Sequence, residues 1–178
     1  MKVIGFVSSP HENGNTTKLV TKALEGAASA GAETELINVA KLTINGCKGC
    51  GFCKTHDGCA QKDDFEKVRQ AIISADGIVF GSPIFFFDLN AQARCVEDRL
   101  FCFLTPDMKS KVPAGKKCIF ITSQGMPDPK AFEANIKKHE NLMGMLGIPS
   151  AGCLITTGPI EDGSPFLAEA AEYGKKLV

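Results

Sequence analysis

The sequence predicts one α/β domain, a doubly wound parallel sheet with helices on both faces. Five short apolar runs rich in β-branched and aromatic residues alternate with stretches of helical periodicity. The segment after the first run is rich in Ser, Thr, Asn and Gly, as suits the strand-to-helix turn of such a unit. At 178 residues the chain is long enough for one full core and short for two. No linker, repeat or low-complexity tract divides it, so residues 1–178 are read as a single domain, with a cysteine-rich insertion at 46–60.

Lys2–Val7 is apolar almost throughout and reads as a buried parallel strand. Lys18–Ala28 carries apolar residues at helical spacing. Glu33–Val39 alternates, which predicts a second strand at the edge of the sheet. Beyond the cysteine segment a helix opens near Asp63-Asp64, whose carboxylates suit a helix start, and runs to about Ala75. Gly77–Gly81 is wholly apolar and therefore a central strand. A helix over Ala91–Leu104, a strand over Lys117–Thr122, a helix over Lys130–Leu146, a strand over Ala151–Thr156 and a helix over Pro165–Leu177 complete the order.

Twenty basic and twenty acidic side chains cancel, so the charge balance points to neither nucleic acid nor an acidic membrane surface. No apolar run reaches membrane-spanning length, and the first residues enter a strand without a signal-peptide pattern. A cytoplasmic protein is expected, and its 8 cysteines then point to redox or metal chemistry more than to a disulfide framework.

In such a sheet ligands sit beyond the carboxyl ends of the strands, where loops 8–17, 82–90 and 123–129 would gather. The first, Ser8-Ser9-Pro10-His11-Glu12-Asn13-Gly14-Asn15-Thr16-Thr17, offers the hydroxyls of Ser9, Thr16 and Thr17 and the amide of Asn15 at a helix N-terminus, a seat for phosphate. It contains no Lys or Arg and matches neither GxxxxGK[ST] nor GxGxxG, so it suits a monophosphate met by hydrogen bonds. The alternative is a turn that only caps a helix. The second loop, Ser82-Pro83-Ile84-Phe85-Phe86-Phe87-Asp88, sets three aromatic rings where their exposure is costly unless a flat ligand covers them; ordinary core packing is the alternative. The third supplies the Ser123 hydroxyl, the Gln124 amide and the flexible Gly125. Phosphate seat, apolar wall and polar loop describe a mononucleotide with a large planar base, for which flavin mononucleotide (FMN) fits best.

Cys47, Cys50 and Cys53 stand in a CxxCxxC arc, with Cys59 closing the segment. Three thiolates so close can each bind a different iron of a cubane, and bacterial ferredoxins begin with the same spacing. Gly46, Gly49, Gly51 and Gly58 allow tight bends and N–H approach to sulfur, while Lys48 and Lys54 would temper the charge. A [4Fe-4S] cluster, a zinc site and free thiols all remain open on spacing alone; closed zinc sites usually pair two separated knuckles. Cys118 and Cys153 fall within strands as small core residues, and Cys95 and Cys102 lie seven apart on one helix, as for a shared face turned to the core or to another subunit. His56 reads as an exposed loop residue, His11 as a group near the phosphate or flavin, and Arg94–Asp98 as an ion pair one helical turn apart.

Three motifs over residues 3–104 then resemble a known family. SSPHENGNTT is similar to the GSPR-type phosphate loop, GSPIFFF to the GSPxYF flavin loop, and Arg94–Arg99, ending in Glu97-Asp98-Arg99, to the lysine-to-DR helix of the flavodoxin-like NAD(P)H-dependent FMN reductases, and more narrowly of the iron-sulfur flavoproteins. His11 stands where that family usually has Arg, and Phe85 where it has Tyr. The resemblance implies strand order 2-1-3-4-5, FMN phosphate at Ser9, Pro10, Asn15, Thr16 and Thr17, and the isoalloxazine against Pro83, Ile84, Phe85 and Phe86; the composition of the third loop adds Ser123 and Gly125 as cofactor contacts. It also implies a [4Fe-4S] cluster on Cys47, Cys50, Cys53 and Cys59. The expected function is electron transfer between FMN and the cluster, with NAD(P)H or a ferredoxin as donor and a small molecule or protein as acceptor, in a homodimer or homotetramer. An NAD(P)H-dependent FMN or quinone reductase without a cluster is the alternative; a non-enzymatic metal or redox-sensing module is the second. No residue need act as a nucleophile, because the flavin carries the chemistry.

Overall fold

β1 (Lys2–Val7) is an inner strand of the sheet, second from one edge, and is buried from Val3 onward. It pairs in parallel with β2 (Glu33–Asn38) on one side and β3 (Gly77–Phe85) on the other. β5 (Lys117–Gln124) continues from β3, and β6 (Ser150–Thr157) closes the far edge. The path is β2-β1-β3-β5-β6, the expected order, in a computed structural model that describes residues 1–178. β2 lies at the edge, as its alternation required.

Each face of the sheet carries its own core. On one, Ile4, Phe6, Ile78 and Phe120 pack with α2 (Phe65–Ser74), α3 (Ala91–Arg99) and α4 (Glu133–Met145). On the other, Val3, Val7, Val79 and Ile121 pack with α1 (Asn15–Ser29) and α5 (Pro165–Lys175). α1 and α5 touch backbone to backbone. A Cβ at Gly26 would stand 2.0 Å from the Ala171 carbonyl oxygen, and one at Gly174 would stand 1.8 Å from that of Ala23. Only hydrogen fits at either place.

Several boundaries differ from the sequence expectation, four of them with a bearing on the site. β3 does not stop at Gly81 but runs on to Phe85, then folds back through β4 (Asp88–Leu89), a sixth strand, with Ile84 opposite Leu89 and Phe85 opposite Asp88. Pro83 is tolerated there because pairing with β1 ends at Gly81, so that side of β3 has no ladder bond to lose. The helix after Asn90 is α-helical only to Arg99 and tightens into a 3₁₀ turn over Leu100–Phe103. α4 starts at Glu133 rather than Lys130. α2 starts at Phe65, and Asp63 accepts the Phe65 N–H at 3.2 Å while its main engagement lies elsewhere.

Candidate functional site

The first turn of α1 is open. Lys18 is its first residue whose N–H finds a helical acceptor, Gly14 O at 3.1 Å, which leaves the N–H groups of Asn15, Thr16 and Thr17 without one. Gly14, the N-cap, supplies no side chain, and the first turn has no acidic residue. Three aligned donors at the positive end of a 15-residue helix are a seat for an anion. The loop around them is fixed from within: the Gly14 N–H and the Thr17 hydroxyl both donate to His11 O, at 3.1 and 3.2 Å, and Ser9 Oγ accepts the His11 N–H at 3.2 Å. Ser9 and Thr16 are buried, Pro10 and His11 exposed.

The Asn15 side chain has other duties than the phosphate contact its position implied. Its amide donates to Gly158 O at 2.8 Å and to Ser123 Oγ at 3.2 Å, and its Oδ1 accepts the Ile160 N–H at 3.0 Å. It stitches the start of α1 to the ends of β5 and β6. Asn90, which the sequence reading passed over, makes the matching stitch on the other side. Its Nδ2 donates to Ser8 O at 2.7 Å, its Oδ1 accepts the Ala93 N–H at 3.2 Å, and it is buried. An Asn directly before a predicted helix is an N-cap signal, and that signal was available.

The aromatic segment forms a hairpin, not a loop. Phe86 and Phe87, at φ +48° and +73°, occupy both central positions of its two-residue turn, where Asn and Gly are usual. Each is strained by about 1–2 kcal/mol in the left-handed region. The rings stand out from the sheet: Phe85 is 47%, Phe86 94% and Phe87 59% exposed. Phe87 leans on Phe132 at 5.7 Å between ring centroids, and Asn135 donates to its carbonyl at 2.6 Å. Pro83 is buried and Ile84 half-buried behind this shelf. Across from it Gly125 is exposed and Ser123 buried, while the Gln124 amide holds the next loop through Met126 O and Asp128 O at 3.3 and 2.7 Å.

Beside the hairpin lies a second constellation that no spacing in the sequence revealed. His139 of α4 is buried with Asp88 Oδ1 2.7 Å from Nε2 and Glu97 Oε1 2.6 Å from Nδ1, and Arg94 pairs with Glu97. The expected Arg94–Asp98 pair is present at 3.5 Å, on the exposed side. Burial pulls the imidazole below its ordinary value and Asp88 pulls it back up. The trio ties β4 to α3 and α4.

The four cysteines of the insertion line one cleft, whose inner wall is Arg99, Phe101 and Cys102. Cys47 and Cys50 are exposed, Cys53 and Cys59 half-buried, and no cysteine of the chain is in a disulfide. Gly49, Gly51 and Gly58 adopt φ of +63°, +72° and +78°, so the expected bends occur at three of the four glycines, and the Gly49 N–H lies 3.5 Å from Cys47 Sγ. No three side chains converge on one ion. In a zinc site sulfurs bound to a single ion stand about 3.8 Å apart, whereas in a cubane each thiolate takes its own iron and the sulfurs are splayed. Lys54 does not face the thiols: it donates to Phe101 O and Leu104 O at 3.1 and 2.8 Å. His56 stacks on Phe52 at 4.1 Å, in the exposed setting expected of it.

Two clasps hold the insertion down. Arg69 pairs with Asp57 at 2.6 Å and Glu66 at 2.9 Å. Arg99 grips Asp63 through both terminal nitrogens, at 2.8 and 3.0 Å, and donates to Asn45 O at 2.9 Å. Burial opposes the Asp63 charge, but Arg99 and the N–H groups of Asn45 and Phe65 outweigh it and hold the carboxyl at about 2. Asp63 is thus a buried anchor more than a helix cap. Three other thiols resist ionisation: burial pushes Cys102 up to about 11 and Cys118 and Cys153 to about 12. Cys95 and Cys102 do not share a helix face, because the 3₁₀ turn intervenes and carries Cys102 under the cysteine loop.

Residues 1–158 match the model of the NADPH-dependent FMN reductase family. Among its curated relatives, an iron-sulfur flavoprotein of Archaeoglobus fulgidus is 28% identical over 99% of this chain and 79% of its own length. Another, from Methanocaldococcus jannaschii, is 43% identical over 56% of this chain and about half, 51%, of its own length. Among solved structures, an NAD(P)H:quinone oxidoreductase from Methanothermobacter marburgensis superposes with a TM-score of 0.78 at 16% identity, covering 100% of this chain and 99% of that one, a likeness of fold. No helix is long and apolar enough to cross a membrane. The chain belongs to the NADPH-dependent FMN reductase family, a family of FMN-dependent oxidoreductases.

Proposed function

We propose that the chain binds FMN across the carboxyl end of its sheet, holds a [4Fe-4S] cluster in its four-cysteine cleft and passes electrons between the two. One observation carries the flavin assignment: the three unpaired N–H groups that open α1 share an end of the sheet with a strained, solvent-facing phenylalanine hairpin. The donors suit a phosphate monoester and the hairpin suits one face of a flat ring. The hydroxyls of Ser9, Thr16 and Thr17 flank the phosphate, with Pro10 at the rim. Pro83, Ile84, Phe85 and Phe86 form the apolar wall, and Ser123 and Gly125 border the ring opposite. Asn15 and Asn90 act at one remove, fixing the three loops to each other so that the seat is formed before the ligand arrives.

The cluster residues would be Cys47, Cys50, Cys53 and Cys59. Their common cleft, the left-handed glycines and a buried arginine on the inner wall fit such a group. The bound flavin supplies conversion between two-electron and one-electron steps, and the cluster supplies one-electron storage. The chain's contribution is to keep both seats anchored to one rigid sheet. NAD(P)H or a ferredoxin-like protein is the donor, a quinone-type molecule or a protein the acceptor, and a homodimer or homotetramer the working unit.

An anaerobic visible spectrum with iron and acid-labile sulfide analysis tests the assignment. Flavin bands, a broad shoulder near about 400 nm and about four irons and four sulfides per chain support it. Flavin bands without iron leave the second reading, a nicotinamide-dependent FMN or quinone reductase. That reading is favoured by the openness of the Phe85–Phe87 shelf to a second flat molecule and by the fold likeness to a quinone oxidoreductase.

A further inference from the structure

Four buried side-chain atoms in the protein lack a hydrogen-bond partner: Nε of Arg69, Nε of Arg99, Oγ1 of Thr122 and Oε1 of Gln124. Both arginines lie under the same fifteen-residue insertion. Arg69 packs against Gly58, its Nε 3.7 Å from where a Cβ would stand. Arg99 lines the cleft with all four thiols, and its side chain is 0% exposed. An orphaned N–H on a fully buried guanidinium is costly unless something accepts it.

The rest of the Arg99 fork is fully used. One terminal nitrogen bridges Asn45 O and Asp63, the other meets Asp63, and the plane of the group lies over the Phe65 ring at 4.6 Å. These contacts fix the orientation of Nε, which is left without an acceptor of its own. A guanidinium stays charged throughout the pH range in which proteins fold, and this one shares its cleft with Cys59. The cation is therefore permanent, immobile and placed at the sulfur side of the cleft. Lys48, the other basic residue lining the cleft, is exposed and screened by solvent.

We propose that Arg99 is a positioning residue for the iron-sulfur cluster: its Nε–H donates to the Cys59 thiolate or an adjacent inorganic sulfide, and its fixed charge raises the reduction potential of the cluster. The inference rests on the assignment of the cluster to Cys47, Cys50, Cys53 and Cys59. Uptake of one electron takes a cubane with four thiolates from net charge −2 to −3, so a buried cation and an N–H···S bond favour the reduced form. Asp63 orients the guanidinium and partly offsets its charge.

The test is a redox titration with dithionite as reductant, followed by electron paramagnetic resonance, on anaerobically reconstituted wild type, D63N, R99K and the R99Q/D63N double variant. The double variant exchanges both partners of the clasp for amides, which avoids leaving one buried charge alone. With iron content equal to wild type, R99Q/D63N is expected to titrate at a more negative potential and D63N at a more positive one. R99K keeps the charge but loses the planar fork, and is expected between wild type and the double variant. A double variant with full iron and an unchanged potential overturns the inference while leaving the cluster assignment intact. Should the double variant fail to fold, an R99K potential equal to wild type overturns it instead. Wild type that takes up no iron removes the cluster assignment and the inference together.

Discussion

Replacing Asp63 by Asn tests how the cysteine insertion is anchored. The Asp63 carboxylate is 6% exposed and Arg99 0%, so the pair is screened little by solvent. Lowering the carboxyl from its ordinary 3.8 to about 2 corresponds to roughly 2.4 kcal/mol of stability at neutral pH, at about 1.36 kcal/mol for each pKa unit. Because the folded value lies below the unfolded one, that stability is present above about pH 5 and lost as pH falls toward 2. Removal of the charge by mutation costs more than its protonation, about 3–5 kcal/mol, since Arg99 is left buried without a counter-ion. Urea unfolding of wild type and D63N, read by circular dichroism at a series of pH values, should show this gap at pH 7. It should narrow by about 2 kcal/mol on approaching pH 2, where about half of the folded wild type carries a protonated Asp63. A gap below about 1 kcal/mol at pH 7, or one that stays constant with pH, refutes the reasoning.

Three further outcomes follow from the geometry. Gly174→Ala forces a Cβ to within 1.8 Å of the Ala23 carbonyl oxygen, so α5 must leave α1, and thermal unfolding should show a loss of about 3 kcal/mol or more. Phe86→Gly relieves left-handed strain but adds the entropy of glycine, so unfolding of the flavin-free protein should change by less than about 1 kcal/mol. The same variant loses a stacking surface, and fluorescence titration should show FMN bound about tenfold or more weakly. Asn15→Asp removes the donor to Gly158 and Ser123 and brings a negative charge to the open end of α1; FMN affinity measured by calorimetry should fall by about a hundredfold, or more than a neutral Asn15→Ala.

The parallel sheet, the edge position of β2 and the open turn before α1 were all present in the sequence, because each depends on local periodicity and on which residues a turn can accept; the strand order came with the family resemblance. The candidate ligand groups were legible for the same reason: hydroxyls, thiols and glycines at short spacing advertise themselves. Tertiary structure decided what those groups do. Asn15 became a stitch between strands instead of a side-chain ligand, since its partners Ser123 and Gly158 lie more than a hundred residues away. The Phe segment became a hairpin because β5 continues past Gly81 and keeps β3 extended beside it, overriding the poor turn propensity of Phe86 and Phe87. Asp63 became an anchor because Arg99 reaches it from another helix, and His139 acquired two carboxylates that no periodicity could have announced. Elements are written in neighbours along the chain; the charge of a buried group is written in neighbours across it.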